Sequence, residues 1–197
     1  MPETAIRRLI LASTSPYRRE LLSRLRLPFD VVSPHVDEAP LVGELPRALA
    51  LRLALAKAQA VASQHPHAVV IGSDQVADLD GEPLGKPGTH SRATGQLQRM
   101  RGKTVVFHTA VAVVCVETGF SQVDLSQVKV KFRNLGDADI ERYLQAETPY
   151  DCAGSAKSEG LGIALLESID SDDPTALVGL PLIRTCHMLR AAGVKVL

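Results

Sequence analysis

Two long β-rich runs constrain the fold of this chain most strongly. They cover 104–117 and 121–133 and are separated by Thr118-Gly119, a turn signal typical of an antiparallel hairpin. Elsewhere short apolar runs alternate with segments of helical periodicity. Strands that alternate with helices favour the α/β class. We therefore predict a mixed, mostly parallel twisted sheet that is flanked by helices and carries a long β-hairpin.

The periodicity also predicts the individual elements. The length of 197 residues suits a single domain over 1–197, either undivided or with two lobes around a cleft. A tight turn at Asp80-Gly81 indicates a second, shorter hairpin over 77–84. We predict helices over 16–25, 46–63, 89–100, 137–147 and 181–192, and further strands over 7–12, 29–33, 68–72 and 162–169.

The charge and composition exclude several classes of function. The formal net charge is +0, so there is no broad basic field to hold a nucleic-acid polymer. No apolar run reaches the roughly 20 residues that cross a bilayer, and the N-terminus lacks the pattern of a signal peptide. We therefore expect a cytoplasmic protein without membrane partners. Its three cysteines, Cys115, Cys152 and Cys186, follow no metal-ligand spacing and are predicted to be reduced thiols.

A strand-to-helix corner near the N-terminus nominates an anion site. The apolar run 9–12 leads into the hydroxyls of Ser13 and Ser15, and Pro16 then begins a helix. Ser15 is a good N-cap, and Arg18 falls on the inward face of the helix, where its charge needs a partner. Helix N-termini of this kind bind phosphates. The alternative is an ordinary capped helix with a surface arginine.

Further charged residues suggest chemistry on that anion. Asp74 follows a β-branched strand that is expected to break at Gly72, and ligands of α/β sheets gather beyond the carboxyl ends of strands. Glu38 follows another acidic residue in a loop and could help to hold a divalent cation. The alternatives are a turn-forming aspartate and a solvated acidic pair.

Two lysines could neutralise a phosphate chain together with Arg18. Lys57 lies at the edge of the apolar stripe of its helix, and Lys86 lies in the rigid turn Gly85-Lys-Pro87. Snorkelling to solvent is the simpler interpretation of Lys57, and a solvated turn that of Lys86. A glycine-containing cluster over 152–162 allows close backbone approach. The phosphate-loop and dinucleotide fingerprints are absent from the sequence, which disfavours ordinary ATPases and dinucleotide enzymes.

In this order, these segments resemble the Maf family of nucleotide pyrophosphatases. The matching segments are spread over nearly the whole sequence, and their joint occurrence is highly specific. They lie at 11–22, 36–38, 57–58, 72–75, 85–87, 153–155, 159–162 and 178–181.

The resemblance implies a Maf-like fold, related to that of inosine triphosphate pyrophosphatase, and hydrolysis of nucleoside triphosphates with Mg²⁺ or Mn²⁺. It implies that Asp74 is the proton acceptor and, with Glu38, a metal ligand. It also suggests a homodimer. The phosphate-binding residues it implies, together with the Ser15 cap, are Ser13, Ser15, Arg18, Lys57 and Lys86.

Three positions distinguish branches of the family, and here they are Tyr17, Gln75 and Glu159. The dTTP/UTP branch carries Arg, Thr and Gln there, so this chain resembles the branch associated with 7-methyl-GTP, which often has Trp in place of Tyr17. An aromatic face attracts a cationic methylated guanine, and a carboxylate accepts its N–H groups. The alternatives are a Maf enzyme for dTTP, UTP or other nucleotides, and a nucleotide-binding regulator of cell division.

Overall fold

A seven-stranded mixed sheet forms the centre of the computed structural model, which describes residues 7–197. The helices and strands alternate along the chain as expected for the α/β class. In chain order they are β1 (Leu9–Ala12), α1 (Pro16–Ser23), β2 (Asp30–Val32), α2 (Pro46–Ala62), β3 (Val69–Leu79), β4 (Glu82–Leu84), α3 (His90–Met100), β5 (Thr104–Cys115), β6 (Phe120–Phe132), α4 (Asp137–Glu147), β7 (Leu166–Asp170) and α5 (Leu182–Ala191).

The strand order is β2-β1-β3-β5-β6-β7, with β4 paired to β3. The predicted α/β class, mixed sheet and long hairpin are confirmed, because β5 and β6 pair antiparallel over their length. The expected predominance of parallel pairs is not found. Strand β1 pairs parallel with β2 and β3, whereas the other four pairings among residues 7–197 are antiparallel. The tight β3–β4 turn reverses the chain, and α3 then returns it so that β5 runs in the direction of β4.

Helices pack on both faces of the sheet because the β1 side chains alternate between them. Ile10 and Ala12 pack with α2 in one apolar cluster, and Leu9 and Leu11 pack with α1 and α5 in another. A third cluster joins α3 and α4 to β5 and β6. The sheet is thus covered on both sides where β1 ends, and the loop after β1 helps to shape a cleft there.

Gly72 lies inside β3 and does not end it, contrary to the sequence prediction. A Cβ atom added there would lie 2.3 Å from the Ala54 carbonyl oxygen and 2.6 Å from the Ala58 nitrogen. The glycine therefore serves to bring the backbone of α2 against the strand. This close approach places the intervening Lys57 beside β3.

The strand predicted over 162–169 is shorter in the structure. Residues Leu161–Leu165 form a 3-10 turn, and β7 begins only at Leu166. Gly162 presses against the backbone at Lys157, since an added Cβ would lie 2.4 Å from its carbonyl oxygen. None of the helices within 7–197 has both the length and the apolar character needed to cross a membrane.

Candidate active site

A cleft of about 580 Å³ contains every site residue predicted from the sequence. The residues come from the corner after β1, the loop before α2, the helix α2, the strand β3 and two later loops. They are Ser13, Ser15, Tyr17, Arg18, Glu38, Lys57, Asp74, Gln75, Lys86 and Glu159.

The corner after β1 has the capped geometry that the sequence predicts. The Ser15 hydroxyl accepts a hydrogen bond from the Arg18 backbone nitrogen at 3.4 Å, and Pro16 occupies the first turn of α1. The Ser13 hydroxyl accepts one from the Ser15 nitrogen at 3.1 Å. Each hydroxyl keeps its own hydrogen, so both can donate to an anion in the cleft.

Arg18 is half-buried and is held by a residue far along the chain. Its Nε donates a hydrogen bond to the Gly179 carbonyl oxygen at 2.9 Å. Burial lowers the pKa of the Arg18 guanidinium, and the charges of Asp74 and Glu38 oppose this effect. Its terminal Nη groups make no hydrogen bond to residues 7–197, so the fork can bind a phosphate bidentately.

Lys57 is buried, with 4% of its surface exposed, so the snorkelling interpretation is wrong. Its Nζ lies 2.6 Å from Glu38 Oε1 and 2.7 Å from Asp74 Oδ1. One ammonium group thus joins α2, β3 and the loop before α2. The neighbouring Asp37 turns away, because its carboxylate accepts a hydrogen bond from the Ala39 nitrogen at 2.9 Å.

Asp74 reaches the cleft because β3 extends beyond the end of β1, its parallel neighbour. Ala12, the last residue of β1, pairs with Gly72, so Asp74 lies two residues past the end of β1. Side chains alternate along a strand, and Asp74 therefore shares the α2 side with Gly72. The predicted position beyond the carboxyl end of a strand is correct for β1, although β3 itself continues.

Glu38 and Asp74 also form a donor set that suits a divalent cation brought by phosphates. Since both bind the same ammonium group, their oxygens converge on one point. Residues 7–197 contain no cluster of three or more His, Cys, Asp or Glu residues placed to hold a metal. Mg²⁺ commonly takes one or two carboxylates together with substrate phosphate oxygens, and this pair meets that need.

The charges around Glu38 keep it ionised. Burial acts to raise the pKa of the Glu38 carboxyl, but the hydrogen bond and charge of Lys57, with the charges of Lys86 and Arg18, lower it overall. Lys86 itself is exposed. We call the part of the cleft formed by Arg18, Lys57, Lys86, Glu38 and Asp74 the basic half, since three cations outnumber two carboxylates.

Tyr17 begins a second part of the cleft with a different character. Its hydroxyl donates a hydrogen bond to Asp151 Oδ2 at 3.3 Å, and the Cys152 thiol lies 4.0 Å from that hydroxyl. Burial, and then the charges of Cys152 and Asp151, raise the pKa of the phenol. Sequence reasoning did not select Asp151. The signal that could have found it is an acidic residue directly before the glycine-containing cluster.

Two carboxylates near Tyr17 outweigh the nearby positive charge. Asp151 and Glu159 both line the cleft, and partial burial raises the pKa of the Glu159 carboxyl. Lys157 lies with its Nζ 5.9 Å from the centre of the Tyr17 ring, but it pairs with Glu147 at 2.8 Å. We call the part of the cleft formed by Tyr17, Asp151 and Glu159 the acidic half.

Gln75 uses its amide nitrogen within the protein. The nitrogen lies 3.0 Å from Thr109 Oγ1, 3.0 Å from the Ala176 carbonyl oxygen and 2.9 Å from the Leu177 carbonyl oxygen. It therefore fastens the loop that leads to Gly179. The role in substrate specificity that the family resemblance implies for Gln75 stays a prediction.

The fold and the cleft define an α/β protein with one charged cleft, which is basic in one part and acidic in the other. The family model described as "Maf-like protein" matches residues 8–192. The chain belongs to this Maf-like family.

Its relatives are similar over nearly their whole length. A 7-methyl-GTP pyrophosphatase of Albidiferax ferrireducens is 73% identical over 197 residues, which cover 100% of this chain and 99% of the relative. A 7-methyl-GTP pyrophosphatase of Polaromonas sp. is 75% identical over 188 residues, 95% of this chain and 86% of the relative. A solved HAM1 protein from Coxiella burnetii matches with a TM-score of 0.45 and 14% identity, over 66% of this chain and 74% of that one.

Proposed function

We propose that this protein hydrolyses 7-methyl-GTP to 7-methyl-GMP and diphosphate, and so removes a modified nucleotide. The observation that carries the proposal is the division of one cleft into a basic and an acidic half. The charges of the substrate are complementary to this division, because a negative triphosphate lies at one end and a cationic methylated base at the other. The printed activity of the Albidiferax and Polaromonas relatives supports the same assignment.

The triphosphate fits the basic half. Arg18 offers the outer fork of its guanidinium, and Lys57 and Lys86 add two further positive charges. The hydroxyls of Ser13 and Ser15 can donate to phosphate oxygens. Charges that are fixed before the substrate arrives stabilise the negative charge that grows on those oxygens during reaction.

The methylated base fits the acidic half. The Tyr17 ring offers an aromatic face, which attracts a cation by roughly 0.5–2 kcal/mol. The Glu159 carboxylate can accept hydrogen bonds from the N1–H and the exocyclic amine of guanine, and the positive charge of the base strengthens them. An unmethylated guanine presents the same edge without the charge, so it gains less from this half.

The proposed reaction is attack of water on the α-phosphorus. The Asp74 carboxylate accepts the proton of the attacking water, the bond from the α-phosphorus to the bridging oxygen breaks, and diphosphate leaves. Lys57 holds one Asp74 oxygen at 2.7 Å, which leaves the other oxygen to face the water. Arg18 and Lys86 bind the departing phosphates.

Glu38 and Asp74 are the residues that would hold Mg²⁺ or Mn²⁺. When bound, such a cation acts as a Lewis acid on phosphate oxygens. Lys57 pairs with both carboxylates in the structure and so holds them close together. The cytoplasmic location and the homodimer stay predictions.

The test is diphosphate release from 7-methyl-GTP, GTP, dTTP and UTP in the presence of Mg²⁺ or Mn²⁺. We expect the largest kcat/KM for 7-methyl-GTP. A preference for dTTP or UTP would contradict the assignment of substrate, and no release from any of the four would contradict the hydrolase.

Asp74→Asn is the matched variant for the chemistry. It preserves the shape of the side chain but removes the base, so turnover should fall by about 10²–10⁴-fold. Nucleotide affinity, measured by calorimetry, should change little. Equal loss of affinity and turnover, or loss of folding by circular dichroism, would assign Asp74 a structural role instead.

A further inference from the structure

We propose that Asp151 is a further specificity-determining residue, whose negative charge selects a cationic base over a neutral one. The inference rests on the proposed function, because it concerns the base of the same substrate. It adds a residue to Tyr17, Gln75 and Glu159, the positions that the family resemblance implies.

The position of Asp151 is fixed by anchors on both sides. On one side, the backbone oxygen of Tyr150 accepts a hydrogen bond from the Gly88 nitrogen at 3.0 Å, and the Tyr150 hydroxyl lies 3.0 Å from His90 Nδ1. On the other side, the Cys152 nitrogen donates to the backbone before it. Asp151 is exposed, but the anchored residues on either side of it hold its backbone at the cleft.

Asp151 contacts the ring on which the base would stack. The Tyr17 hydroxyl donates to Asp151 Oδ2 at 3.3 Å, although the two residues lie 134 positions apart in the sequence. The contact orients the ring and also brings a full negative charge to its polar end. A cation stacked on Tyr17 would therefore feel both the ring face and this carboxylate.

The charge of Asp151 is not cancelled by the nearby lysine. Lys157 lies over the Tyr17 ring, but Glu147 neutralises it at 2.8 Å, and no ion pair to Asp151 occurs in the described part of the chain. Lys157 also acts on Glu159 and lowers its pKa in part, so Asp151 is the carboxylate of the acidic half whose charge has no cationic partner in the described residues. Such a field discriminates by charge, since a neutral guanine presents the same Watson–Crick edge and differs only by the N7 methyl group and its positive charge.

Two variants separate the charge of Asp151 from its hydrogen bond. Asp151→Asn retains an oxygen that can accept from Tyr17 but removes the charge. Tyr17→Phe removes the hydrogen bond but retains the ring and the Asp151 charge. Asp170→Asn makes the same charge change on β7, at the sheet edge far from β1, and serves as the control.

The experiment is calorimetric titration of each protein with 7-methyl-GMP and with GMP, at mildly acidic pH and without metal. Partly exposed ion pairs contribute about 0.2–1 kcal/mol, so Asp151→Asn should lower the affinity ratio of the two ligands by up to about fivefold. GMP affinity should not change. Tyr17→Phe should affect the ratio less, and Asp170→Asn should leave it at the wild-type value.

The outcomes distinguish this inference from the proposed function. A wild-type preference for 7-methyl-GMP that Asp151→Asn fully retains would overturn the role of Asp151 alone. A fall in affinity for both ligands by the same factor would also overturn it, because a merely structural residue would act in that way. A wild-type protein without any preference would overturn the proposed substrate, and this inference with it.

Discussion

Replacing Gly72 by alanine should separate α2 from β3 and so disturb both stability and catalysis. The added Cβ would lie 2.3 Å from the Ala54 carbonyl oxygen and 2.6 Å from the Ala58 nitrogen. Both contacts are to backbone, which cannot rotate away as a side-chain tip can. The helix and the strand must therefore move apart.

The size of the effect follows from these distances. A relaxed contact needs about 3.5 Å, so the helix and the strand must separate by roughly 1 Å. Overpacking of this kind costs about 1–3 kcal/mol of unfolding free energy. Lys57 directly precedes Ala58 and would move with it, away from the Asp74 oxygen that it contacts at 2.7 Å. A displacement of about 1 Å at a catalytic group can cost roughly 10²-fold in rate.

The assay pairs denaturant unfolding with kcat for diphosphate release. Gly95→Ala is the matched control, because Gly95 lies within α3 and nothing would lie within 4 Å of its added Cβ. We expect that control to gain roughly 0.5–1 kcal/mol from the helix preference of alanine, with unchanged kcat. If Gly72→Ala unfolds at the wild-type denaturant concentration and keeps the wild-type kcat, the close approach of α2 does not position Lys57 as argued.

Two further predictions use the ionisable groups of the cleft. The pKa of Glu38 is lowered below its ordinary value of 4.5, so its stabilising contribution is present above that value and is lost as the pH falls through the lower folded value. The difference in unfolding free energy between wild type and Glu38→Gln should therefore shrink on acidification, and a difference independent of pH would refute this. Burial, followed by the charge of Asp151, raises the pKa of the Cys152 thiol to about 12. Because the thiolate is the nucleophile, iodoacetamide should modify Cys152 at least about a hundredfold more slowly in the folded than in the unfolded protein. Equal modification rates of the folded and the unfolded protein, measured by mass spectrometry, would show that the Cys152 thiol is accessible and ionised in the fold.

The sequence was sufficient for elements whose signals are local. The apolar period of α2 and the Ser15-Pro16 start of α1 predict these helices within two residues of their observed ends. The sequence places Asp74 just after a strand that it predicts to end at Gly72, whereas β3 continues to Leu79. The wrong strand end has a physical cause. A glycine that ends a strand and a glycine that lets a helix backbone approach a strand cannot be told apart in a single sequence.

Contacts between distant parts of the chain could not be predicted in this way. Arg18 depends on a carbonyl oxygen 161 residues further on, and Tyr17 on a carboxylate 134 residues further on. No periodicity or capping rule links such positions. The resemblance to a family supplied most of the site, but it did not include Asp151, whose importance depends on geometry.

Position 75 also has a consequence for attempts to redesign base preference. The Gln75 amide fastens the backbone at Ala176 and Leu177, and the same loop provides the Gly179 carbonyl oxygen that holds Arg18. A substitution at this position would therefore have two effects. It would alter the surroundings of the base, and it would also weaken the support of Arg18, which binds the phosphates. To transfer base selectivity from one branch of the family to another, the segment 173–180 should have to be exchanged together with residue 75.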